Sequence, residues 1–84
     1  MNSKQKKTLQ AIYSDPVSTS LVWKDIESLL VAVGSEVVEG NGSRVRFVKA
    51  GVVASFHRPH PKKEAKPYQV KDARLYLTQL EVQP

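Results

Sequence analysis

The 84 residues predict an α+β domain: a three-stranded antiparallel sheet with helices packed on one of its faces. Three observations carry that prediction. Apolar residues recur at helical spacing up to Val33 and again from residue 69 onward. Between these stretches, after Gly34, the period switches to alternation. The alternating segments are divided by Gly40-Asn41-Gly42-Ser43 and by Lys49-Ala50-Gly51, residue types that make turns.

The spacing predicts a first helix over 3–14, capped by Ser3, with Leu9, Ile12 and Tyr13 on one side. Asp15-Pro16 ends it, because proline disfavours helical geometry in the residue before it. After a connector through Ser20, a second helix is expected to begin near Leu21. Trp23, Ile26, Leu29, Leu30 and Val33 form its apolar stripe, Asp25 and Glu27 sit near its positive end, and Gly34 stops it. Glu36–Glu39 reads as a short strand. Residues 44–48 and 52–57 read as a hairpin in which Val45, Phe47, Val52, Ala54 and Phe56 face the core. Pairing Val48 with Val53 then sets Arg44 opposite His57 and Arg46 opposite Ser55 on the open face. Pro59, Pro61 and Pro67 keep the next stretch extended. A last helix is expected from about Gln69, with Val70, Ala73, Leu77 and Leu80 toward the sheet and residues 81–84 frayed. The chain reads as one domain over 1–84, with 1–16 an N-terminal helical extension and 20–80 the core.

Composition narrows the function. There are no cysteines, so disulfides, thiolate metal sites and a cysteine nucleophile are excluded. Their absence suits a reducing cytoplasm, the expected location. No apolar run reaches the ~18–20 residues that span a bilayer, and no membrane partner is expected. The net charge is +5, unevenly placed. Residues 1–39 carry four cations against five acids, whereas residues 40–74 carry nine against Glu64 and Asp72. That asymmetry points to a polyanion, most simply nucleic acid, as partner of the C-terminal half. The competing reading is a solubilising surface of exposed lysines.

Both histidines lie in Phe56-His57-Arg58-Pro59-His60-Pro61-Lys62-Lys63-Glu64. Imidazole transfers protons both ways near neutral pH, and here it is set among cations able to hold phosphates. His57-x-x-His60 lacks the third and fourth ligands that zinc wants, so no metal is expected there.

Together with Gly42-Ser43-Arg44-Val45-Arg46-Phe47, this segment resembles the HicA family over about residues 23–80. These are the toxin halves of bacterial and archaeal type II toxin–antitoxin pairs. The resemblance implies a fold like a double-stranded-RNA-binding domain, here with an extra N-terminal helix. It also implies a metal-independent endoribonuclease that cleaves messenger RNA, without a cofactor, and is neutralised by a HicB-type antitoxin. Familiar members have Gly-Ser-His at the turn and credit that histidine with catalysis, whereas this chain has Arg44. Arginine cannot act as a base at neutral pH. Activity would then rest on His57 and His60 as acid and base, with Arg44, Arg46, Arg58, Lys62 and Lys63 contacting RNA. The alternative is a non-catalytic RNA-binding module on the same fold. A DNA-binding regulator is disfavoured, since no helix carries a basic recognition face.

Overall fold

A computed structural model describes all residues, 1–84. The chain forms α1 (Ser3–Ile12), α2 (Trp23–Ala32), β1 (Glu36–Glu39), β2 (Arg44–Lys49), β3 (Val52–His57) and α3 (Pro67–Gln79). The strands make one antiparallel sheet in the order β1-β2-β3, an α+β architecture whose α-β-β-β-α portion is compatible with a double-stranded-RNA-binding-domain fold.

The hairpin register follows from alternation and from its turn. Val48 pairs with Val53, Arg46 with Ser55 and Arg44 with His57, as the sequence predicts. Ala50 and Gly51 alone link the strands, and both have positive φ (51° and 78°), the backbone that suits the right-handed strand twist. A slip of one residue would bury Arg44 and Arg46 and expose Phe47, which fixes the pairing. Val45, Phe47 and Phe56 are buried, while Arg44, Arg46, Val53, Ser55 and His57 are exposed on the opposite face.

The core gathers on the helix side. Trp23 tilts against Phe56 (ring centroids 5.0 Å apart) and Phe47 (6.4 Å), and Ile26, Leu29 and Leu30 extend the contact along α2. Val70, Ala73, Tyr76 and Leu77 supply the α3 side. Tyr76 is 1% exposed, and its hydroxyl is matched by Ser35 Oγ at 2.7 Å, so burying it leaves no polar atom unpaired. From α1, Leu9 and Ile12 are members of the same core.

Helix α1 ends at Ile12, two residues short of expectation, and four other boundaries differ. The cap of α1 is Asn2: its side chain accepts from the Gln5 amide while Gln5 Oε1 accepts from Asn2 N–H. Helix α2 begins at Trp23, because Leu21 and Val22 are drawn into pairing with Glu64 and Ala65. Helix α3 begins at Pro67, since the first helical position needs no N–H donor and suits the fixed φ of proline. The tail is held rather than frayed. Val82 N–H bonds Leu77 carbonyl and Glu81 N–H bonds Thr78 carbonyl, while the Tyr13 hydroxyl donates to Val82 carbonyl at 3.0 Å. The same closure ends α2: Gly34 at φ 98° and Ser35 bond back to Val31 and Leu30, and Lys49 Nζ donates to the Val33 carbonyl.

Candidate nucleic-acid interface

The open sheet face brings Arg44, Arg46, Ser55 and His57 around one concavity of about 640 Å³. Arg58 N–H bonds the Ser43 carbonyl, which makes 43 and 58 a hydrogen-bonded position of the ladder. Arg44 and His57, one step in, therefore occupy a non-hydrogen-bonded pair, in which cross-strand side chains approach most closely. Arg46 and Ser55 occupy the next such pair. Neither Arg44 nor Arg46 has a carboxylate partner. Two free guanidinium groups beside one imidazole can hold a phosphate and move a proton next to it.

Gly40 keeps this site open. A Cβ at that position would lie 3.0 Å from Arg44 Cβ, so Arg44 would have to shift by a few tenths of an ångström. Gly42, at φ 62°, turns the chain into Arg44. Behind the site, Gln69 is 1% exposed. Its Nε2 donates to the His57 carbonyl at 2.7 Å and its Oε1 accepts from Lys66 N–H at 2.9 Å. That bridge fastens the end of β3 to the start of α3, so Gln69 is a positioning residue for His57. Composition offered no sign of it, beyond a polar side chain inside an apolar helical pattern.

Arg58 lies next to His57 in sequence but on the other side of the sheet. Its guanidinium is held by Glu27 (Nε–Oε1 3.0 Å, Nη2–Oε2 3.1 Å) and by Glu39 (Nη1–Oε1 2.7 Å, Nη2–Oε2 2.8 Å). Trp23 Nε1 donates to the same Glu27 oxygen at 2.9 Å. Hydrogen bonding from Arg58 holds the Glu39 carboxyl below its ordinary range, and bonds to Glu39 and then Glu27 raise Arg58. With both carboxylates bidentate, Arg58 joins β1, α2 and the end of β3 and has little capacity left for a phosphate. The register carries the missing signal: Glu39 pairs with buried Val45 and so points to the core side, where an acid needs a cation.

The other expected site residues disperse. His60 is exposed on the loop after β3 and does not line the concavity of His57. Lys62 and Lys63 line a separate groove on the helix side, beside Lys24 of α2. No three His, Asp or Glu side chains converge as a ligand set for a metal ion.

A family model described as the HicA toxin of bacterial toxin–antitoxin systems matches residues 23–82. The chain belongs to the HicA toxin family. It is therefore the toxin of a toxin–antitoxin pair, and a cognate antitoxin is its partner. The HicA match starts at Trp23, so α1 lies outside it although Leu9 and Ile12 are part of the core. Comparison with curated proteins and with solved structures yields no match. No helix is long and apolar enough to cross a membrane.

Proposed function

We propose that this HicA-family toxin is an endoribonuclease whose chemistry centres on His57, with Arg44 and Arg46 holding the scissile phosphate. The observation that carries the reading is the Arg44–His57 cross-strand pair on an open face where neither Arg44 nor Arg46 has a carboxylate partner. In the reaction, His57 takes the proton from a ribose 2′-hydroxyl as that oxygen attacks the adjacent phosphorus. The bond to the 5′-oxygen breaks, and the leaving oxygen takes a proton from His60, whose exposed loop moves toward the concavity when RNA binds. The products are a 2′,3′-cyclic phosphate and a 5′-hydroxyl end. The arginines stabilise the extra negative charge that accumulates on phosphorus oxygens, a term that is large where water is displaced. Messenger RNA is the substrate this reading implies, and a HicB-type protein the antitoxin.

Arg44 supports a second reading. It stands where family members have the histidine of Gly-Ser-His, and a guanidinium does not exchange protons near neutrality. The fold would then bind RNA without cutting it.

Cleavage of a long single-stranded RNA in EDTA, followed by analysis of the new ends, separates the two. The nuclease reading expects cyclic phosphate ends, a bell-shaped rate profile near neutral pH and loss of cleavage in His57→Ala. His60→Ala tests the acid independently. Salt-sensitive binding without cleavage at any pH would establish the binding module instead.

A further inference from the structure

The groove lined by Lys62 and Lys63 differs in chemistry from the sheet face. It lies between the starts of α1 and α2 and the loop 58–63, and at about 1060 Å³ it is larger than the concavity of His57. Its two carboxylates are already neutralised: Asp25 pairs with Lys4 (3.4 Å) and Glu27 with Arg58 (3.0 Å). Lys24, Lys62 and Lys63, by contrast, have no ionic partner. Between the cations the surface is apolar. Val31 is 50% exposed there, and Pro59 and Pro61 stand opposite.

One end of the wall is tied to the start of α2 by backbone hydrogen bonds. Trp23 N–H bonds the Lys63 carbonyl at 2.9 Å and Ala65 N–H bonds the Leu21 carbonyl at 2.8 Å. The proline rings fix the backbone between Arg58 and that bridge. A nucleic-acid backbone would meet the lysines but leave the apolar floor unused. A segment carrying apolar side chains flanked by Asp or Glu satisfies floor and rim together.

We propose that this groove docks an acidic, amphipathic segment of the cognate antitoxin, apart from the sheet face. The inference rests on the toxin–antitoxin pairing given by the family and is independent of whether the toxin cuts RNA.

The test measures binding of the purified cognate antitoxin to the wild type, to a Lys24→Glu/Val31→Asp variant and to a Lys62→Glu/Lys63→Glu variant. All four side chains are exposed, so thermal melts verify that the fold is kept. Each variant is expected to weaken the antitoxin by about tenfold or more, with the charge-dependent part shrinking at high salt. RNA binding by Lys24→Glu/Val31→Asp is expected to match wild type. Undiminished antitoxin affinity in both variants overturns the proposal. So does loss of RNA affinity with antitoxin affinity kept, which would give the groove to nucleic acid. Hydrogen exchange on the wild-type complex gives an arm without mutation: protection of residues 23–32 and 58–65 supports the groove, and its absence there contradicts it.

Discussion

Arg44 and Arg58 stand at the same end of the hairpin, yet they do opposite things. Arg44 opposes His57 across the strands, and Arg58 is the residue after His57. That single step changes the face. Arg44 points to the open side and meets no carboxylate, whereas Arg58 points to the helix side and meets Glu27 and Glu39 with both edges of its guanidinium. Strand parity thus decides which cation is structural and which is free for an anionic ligand. Net charge alone does not distinguish them.

Variants can separate the two faces. The largest expected effect comes from Gln69→Leu, which strips partners from the Lys66 amide and the His57 carbonyl. A loss of about 1–3 kcal/mol in denaturant unfolding is expected, together with slower RNA cleavage as the end of β3 loosens. Retained cleavage would mean that His57 does not depend on this tether. Next, Arg58→Ala should lower stability by about 1 kcal/mol, through the partly buried Glu27 arm. Arg44→Ala should leave the melting temperature nearly unchanged and weaken RNA binding. Equal melting shifts for the two arginines would erase the contrast between the faces.

Smaller effects sharpen it. Glu81 closes α3 at φ 61°, a left-handed conformation that glycine adopts without strain. Glu81→Gly is therefore expected to raise stability by about 0.5–1 kcal/mol without altering RNA binding. The smallest effect is in acid. Glu39 has its carboxyl value lowered from 4.5 by Arg58, so its contribution is present above that pH and lost as the pH falls through the lowered folded value. The melting difference between wild type and Arg58→Ala should narrow on acidification below 4.5. A gap that widens instead would assign the pH dependence to other groups.

Much of this was legible before the structure. Alternation in 44–57 gave both the faces and the register, because shifting it would bury two arginines. The helix stripes gave Trp23, Ile26, Leu29, Leu30, Val70, Ala73 and Leu77 as core. What escaped were contacts made between elements far apart in the chain. Glu27, Glu39 and Arg58 come from a helix, a strand and a loop, and no local pattern couples them. Helix ends escaped for a related reason. Pro67 reads as a breaker locally but is accepted at a first helical position, and the tail is fixed by Tyr13 from the opposite end of the sequence. The basic segment 57–63 read as one site, yet His57 lines the sheet-face concavity while Arg58, Lys62 and Lys63 line the groove on the helix side.

The central claim is that the Arg44–His57 pair is the chemical centre. Its most direct test is RNA binding and RNA cleavage measured side by side for wild type, His57→Ala and Arg44→Ala at low salt. The account predicts that His57→Ala binds RNA nearly as wild type does but cleaves it about 10²-fold or more slowly, while Arg44→Ala loses binding and cleavage together. Cleavage by His57→Ala at the wild-type rate would contradict it.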